Sequence, residues 1–181
     1  MKRLLIVLMA MLAAPPASAG VGAEIDVCFN YGCIASQRAQ FDGEVIDALA
    51  TQVAASADAD AERAALTHAV AALYALAAMQ TPIGADQPGN VDDGGVRGQM
   101  DCIDHSTNTT RFLELLSARG ALRFHRVLPP TRRGWVFAHH TARLAALADG
   151  AEFAVDSWYV GVGEPPLVVP MTRWLAGEMT P

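Results

Sequence analysis

Two periodicities divide this chain: helical spacing through its first half and alternation through most of the rest. Val45, Ile46, Leu49 and Val53 recur on one helical face behind Asp42, a residue type that caps helix starts, so a helix is predicted from about 42 to 55. A second broad apolar face, built from Ala64, Leu66, Val70, Leu73 and Leu76, opens at Asp58 or Asp60 and runs toward Met79. Both helices read as packing elements, and His68 reads as an exposed or satisfied helix residue. Ahead of them, Glu24–Phe29 reads as a short extended piece. Residues 80 to 101, "QTPIGADQPGNVDDGGVRGQMD", hold Gly, Pro, Asp and Asn without any period, which predicts a long irregular loop. A loop that long inside a compact domain is often functional.

Helical spacing returns at "CIDHSTNTTRFLELLSARG", where Phe112, Leu115 and Leu116 form an apolar face and Gly120 supplies the stop. After it "ALRFHRVL" reads as a strand, "PPTRRG" as its break, and "WVFAHHTARLAAL" as renewed extended structure. Asp149-Gly150 makes a turn into the partner strand "EFAVDSWYVG", and "PPLVVP" and "TRWLAGE" add a last strand and a short helix. The expected class is α+β, with a helical amino-terminal half followed by a helix packed on an antiparallel sheet.

The amino terminus changes the compartment. Lys2 and Arg3, an apolar run from Leu4 to Ala14, and the small residues Ala17 and Ala19 read as a signal peptide over residues 1–19. That run is short for a membrane span, no later stretch approaches the needed length, and no cysteine follows the cleavage point to suggest a lipid anchor. Residues 20–181 are then one periplasmic or secreted domain, about 160 residues being ample for a single core. The chain carries 13 Lys and Arg against 19 Asp and Glu, net −6, which becomes −8 once Lys2 and Arg3 are removed. That sign repels phosphate backbones and sets nucleic acid aside as a partner.

In an oxidising compartment the three cysteines need an account. Cys28 and Cys33 flank "FNYG" and can close a small disulfide loop, which leaves Cys102 either as an intermolecular bridge or as a free, reactive thiol. The competing pairing joins Cys102 to Cys28 or Cys33. A thiol at a helix start gains from unpaired N–H groups and the positive end of the dipole, which lowers its pKa. Asp101 and Asp104 oppose that by like charge, so an imidazolium is needed nearby. His139 and His140 begin a strand. Alternation puts His139 with Thr141 and Arg143, and His140 with the more apolar Ala142 and Leu144. His139 is therefore expected at the polar cleft and His140 in packing, with His140 the alternative base if the register slips by one. Asp156 on the partner strand can hold the imidazole.

The ordered set "GQMDCIDHSTNTTRFLELLSARGALRFHRV", "HHTARL" and "FAVDSW" resembles the catalytic core of the transglutaminase-like superfamily, bacterial cysteine peptidases included. Cys102, Asp104, Leu115-Leu116, Gly120, His139 and Asp156 match in order and spacing over about residues 98 to 160, a third of the chain. Met100 and Asp101 ahead of the cysteine, and Thr141 after the histidine, depart from the family pattern. The resemblance implies a papain-like core without a cofactor, acting on protein or peptide amides through a thioester, as a peptidase or amidase with water as acceptor or as an acyltransferase with an amine. In it Cys102 attacks the carbonyl, His139 carries the proton, and Asp156 orients His139. For the oxyanion the residues themselves suggest the Cys102 N–H and, three positions upstream, Gln99.

Two other readings compete. Cys102 and His105 stand at C-x2-H spacing and would need His139 or His140 to complete a metal set. A non-catalytic exported binding protein on the same fold is the third, kept alive by Asp101 beside the thiol. Outside these readings His105 is expected on the helix surface or against substrate, and His125 in a structural role. Trp158 and Tyr159 read as core aromatics or cleft walls, the core reading being the safer. Trp135 and Trp174 carry no functional argument. The Asn108-Thr109-Thr110 glycosylation pattern is set aside because it falls within a helix.

Overall fold

The computed structural model describes residues 20–91, 95–136 and 138–179; the leader read at residues 1–19 lies outside them. Strands β1 (Ala23–Phe29) and β2 (Ala35–Phe41) form an antiparallel hairpin, followed by α1 (Gly43–Ala54) and α2 (Ala59–Ala78). The loop after α2 contains one 3-10 turn, Pro82–Ala85, and delivers the chain to α3 (Cys102–Ala118). Strands β3 (His125–Arg133), β4 (His139–Ala146), β5 (Glu152–Asp156) and β6 (Leu167–Pro170) then pair in chain order as one antiparallel sheet, closed by α4 (Met171–Leu175). The protein is thus α+β, with a helix on an antiparallel sheet. No helix among the described residues is long and apolar enough to cross a membrane.

The helix starts follow their expected chemistry. Asp42 accepts from the Glu44 N–H at 2.8 Å, and Asp58 from the Ala61 N–H at 2.8 Å. The hairpin is the departure, because β2, "ASQRAQF", alternates but is mostly polar. Only Ala39 and Phe41 of that strand are buried, too short an apolar signal to stand out. A second departure is β3, which continues through Pro129-Pro130 where a break was expected. It lies at the sheet edge, and its register shifts between Leu128 and Thr131, so the missing N–H groups interrupt little of the ladder. The partner strand also ends at Asp156, five residues earlier than its sequence pattern implied.

Helix α3 sits at the centre of the core. Phe112, Leu113 and Leu116 are fully buried among residues of β1, α1, α2 and the inner sheet face, which presents Ala142, Leu144 and Val155. Phe112 meets the rings of Tyr74 at 4.9 Å and Phe41 at 5.8 Å, both edge-on. The opposite sheet face is covered as well, by Trp174 and Met171 of α4 over Ala154 and Val169.

Two buried polar networks hold these layers in register. Glu62 of α2 is fully buried and accepts the N–H of Arg123 at 2.6 Å, that of Phe124 at 3.0 Å, and His125 Nδ1 at 2.9 Å, which ties α2 to the start of β3. His125 is structural, as expected. In the second network His105 sits between Asp86 and Ser157, each 2.9 Å away. It is 2% exposed, so it is neither a helix-surface residue nor a substrate contact. Tyr74 closes that network by donating to the His105 carbonyl at 3.0 Å. Burial pushes its phenol well above the ordinary value, so it stays protonated. Asn108 is buried too, exchanging hydrogen bonds with the Cys28 backbone at 2.8 and 2.9 Å, so it is no glycan acceptor.

Candidate active site

Cys102 is the first residue of α3, and the two acids beside it build that start. Asp101 is the N-cap, its Oδ1 accepting from Ile103 N–H at 2.9 Å and Asp104 N–H at 3.0 Å. Asp104 returns the favour to the Asp101 N–H at 3.2 Å, which completes a capping box. Each acid also reaches the loop between β1 and β2: Gly32 N–H donates to Asp101 at 3.0 Å, and Cys33 N–H to Asp104 at 2.6 Å. Cys28 and Cys33 are joined as a disulfide, and Cys102 is the free cysteine. The alternative pairings of Cys102 are therefore set aside. Upstream, the loop 80–101 crosses itself at Gly98, where a Cβ would lie 2.0 Å from the Pro82 carbonyl oxygen, so only glycine lets the chain reach Cys102 on this path.

The electrostatics differ from the expectation of an ionised thiol. Burial pushes the Cys102 thiol above its ordinary value, Asp101 and Asp156 add to the rise, and hydrogen bonding from the His140 backbone only partly offsets it. Cys102 rests as a thiol, its S–H directed to the Ala138 carbonyl at 3.8 Å. Iodoacetamide labelling of Cys102, followed against pH by mass spectrometry, should therefore show a midpoint above the free-thiol value of about 8.5. A midpoint below that value would contradict this electrostatic account.

Asp104 is the other perturbed group. It is fully buried, and desolvation with the neighbouring Asp101 charge raises its pKa to about 6, against the pull of three backbone N–H groups. Its folded pKa lies above the unfolded one, so the stability it contributes is complete below about pH 4 and is lost as pH rises through about 6. A shift of that size corresponds to at most about 3 kcal/mol. Urea unfolding of Asp104→Asn at pH 4.5 and 7.5 should show a smaller pH difference than the parent protein shows; an unchanged difference would assign it to another group.

The histidines separate clearly. His139 Nε2 lies 2.6 Å from Asp156 Oδ2, and the residue is 8% exposed. Trp158, Tyr159 and Trp174 surround it with ring centroids 5.0 to 5.7 Å away. Its face of β4 is thus an aromatic box under α4 rather than a polar strand face. His140 lies on the face of β4 that buries Ala142 and Leu144, as expected, but at the strand start it is only half-buried. Burial lowers its pKa, with the Asp101 charge opposing. Asp156 is 2% exposed and is held by the Trp174 indole N–H at 2.9 Å and by the Trp158 backbone N–H at 3.2 Å. Trp174 is the residue that sequence reasoning missed. Nothing in "TRWLAGE" marks it, because its role depends on α4 folding back over β5.

Cys102 and His139 open on one cleft of about 480 Å³. Trp158 and Tyr159 wall it rather than filling the core, together with Tyr31 from the disulfide loop and Arg133 from the end of β3. Arg133 donates to the Tyr159 hydroxyl at 3.3 Å, which leaves that phenol its own proton to donate; burial and the Asp156 charge raise its pKa against the lowering effect of Arg133. Gln99 is not among the cleft-lining residues; it is buried, and its carbonyl accepts the Asn30 N–H at 2.7 Å. The Cys102, His105, His139 metal set is not assembled, since both ring nitrogens of His105 are engaged by Asp86 and Ser157. Among the described residues, the group whose ligand atoms do converge is Cys28, Cys33 and Asp104, and its sulfurs are bonded to each other.

The class defined by these atoms is an α+β protein whose cleft, at the meeting of a helix start and a sheet, is lined by Cys102 and His139, with Asp156 buried behind the histidine. Comparisons with protein-family models, with curated proteins and with solved structures each return no match.

Proposed function

We propose that this protein is an exported, cysteine-dependent acyl-transfer enzyme that hydrolyses peptide or protein amides through a thioester. The observation that carries this reading is the single cleft shared by Cys102 and His139, with Asp156 holding the far nitrogen of His139 at 2.6 Å. With Nε2 on Asp156, Nδ1 is the nitrogen left to work in the cleft. Because Cys102 rests protonated, His139 takes the thiol proton as the sulfur attacks the carbonyl, and returns it to the leaving amine. Asp156 stabilises the imidazolium that forms between those steps. Of the donors that line the cleft, we assign the oxyanion to the Cys102 N–H at the head of α3 and the Tyr159 hydroxyl, in place of Gln99. Water then releases the acid. The chain order Cys, His, Asp is that of the transglutaminase-like superfamily the sequence resembles. Export is supported by the basic and apolar leader and by the Cys28–Cys33 disulfide.

A binding module with a silent site is the second reading, favoured by the raised Cys102 pKa and by Asp101 in the cleft wall. Para-nitrophenyl acetate separates the two. A burst of nitrophenolate with an acetyl group mapped to Cys102 supports the enzyme, whereas acetylation confined to lysines, with no burst, supports the binding module.

A further inference from the structure

The segment Asn30–Cys33 is a left-handed turn. Its four φ angles are 65, 64, 62 and 57°, and only the third residue is a glycine. L-residues avoid that region, and consecutive non-glycine residues there persist only where their surroundings enforce it. The enforcement comes from the disulfide together with the bonds from Gly32 and Cys33 to Asp101 and Asp104. The two sulfurs are also unequal. Cys28 is fully buried, and Arg111 Nη1 donates to its Sγ at 3.2 Å. Cys33 is half-exposed. Asp104, with an oxygen within 4.8 Å of both sulfurs, takes the Cys33 N–H and so places its negative charge on the Cys33 side.

We propose that Cys28–Cys33 is a redox-active disulfide, attacked at Cys33 by a dithiol of the exported compartment, and that its opening widens access to Cys102. The incoming thiolate bonds to Cys33 Sγ and the sulfur–sulfur bond breaks. Cys28 leaves as a thiolate facing the Arg111 guanidinium, the arrangement that speeds departure by lowering the leaving thiol's pKa. The second thiol of the partner then attacks its own sulfur in the mixed disulfide and releases Cys33. The partner is oxidised to a disulfide; two electrons pass to Cys28 and Cys33, and the partner's two protons balance them. Once open, residues 30–33 keep only their hydrogen bonds to Gln99, Asp101 and Asp104 against the unfavourable left-handed backbone, and their relaxation withdraws Tyr31 from the cleft wall. The inference does not depend on the acyl-transfer reading.

The test equilibrates the native full chain in mixtures of reduced and oxidised glutathione, quenches with acid, and maps alkylated cysteines by mass spectrometry. Cys28 and Cys33 should open together within the range of those mixtures, with helical circular dichroism retained. Cys28→Ser should carry glutathione on Cys33, while Cys33→Ser leaves Cys28 uncapped. Arg111→Met should slow opening by about tenfold and Arg111→Lys should largely restore it. In the opened protein Cys102 should alkylate at least about tenfold faster. A bond that yields to reduced glutathione only after unfolding, a reduced chain without its helical signal, or a Cys102 rate unchanged by opening would each overturn the proposal.

Discussion

Asp156→Asn should slow acetylation of Cys102 by para-nitrophenyl acetate by about a thousandfold while leaving the fold intact. An amide oxygen in the Oδ2 position can still accept from the Trp174 indole N–H and His139 Nε2, and the only acceptor lost is the one for the Trp158 N–H, so most of the geometry survives. The negative charge opposite the imidazolium does not, and in cysteine and serine sites of this kind the loss is of that order. His139→Ala should match it, whereas His140→Ala and Gln99→Ala should stay within a few-fold of the parent, because His140 lies outside the Asp156 pair and Gln99 outside the cleft lining. Acetylation at the parent rate in Asp156→Asn would remove His139 as the base. Asp156→Ala is a harsher change: it leaves a buried indole N–H and an imidazole without their acceptor, and should cost about 2–4 kcal/mol in urea unfolding.

Glu62→Ala should destabilise the protein by about 3–5 kcal/mol, far from the cleft. The carboxylate is fully buried and satisfies the backbone N–H groups of Arg123 and Phe124 as well as His125 Nδ1. Truncation strands all three, and breaking one side of a buried polar pair carries that magnitude. Glu62→Gln should cost roughly half, since its amide oxygen still serves the backbone donors. Equilibrium urea unfolding at pH 7 checks both, and a loss under about 1 kcal/mol for the alanine variant would mean that water replaces the carboxylate.

The contrast between these two sites shows what a sequence reader can and cannot reach. Cys102, His139 and Asp156 were legible because each sits at a definable point of a local pattern: a helix start, a strand start and a strand following a turn. Glu62 was not legible. It lies on the first turn of α2, where an acid is ordinary, and its partners are more than 60 positions away. His105 was misread for the same reason, as a polar residue on a helix whose burial is set by the loop carrying Asp86 and by the end of β5. His140 shares the core-facing side of β4 with Ala142 and Leu144, as alternation implies, but stands at the start of the strand, where that cover ends and leaves it half-exposed.

Local chemistry thus determined the element starts, the α+β class, the cysteine left over and the order of the three candidate residues, because capping, periodicity and turn formation act over a few bonds. The tertiary structure decided the rest. It raised the Cys102 thiol by burying it beside Asp101, which also caps α3 and holds the left-handed loop, with Asp156 adding to the rise. It also folded Trp174 over Asp156 and closed an aromatic box around His139. Those are effects of desolvation and of contacts between distant segments, and the strength of both depends on which surfaces the folded chain removes from water.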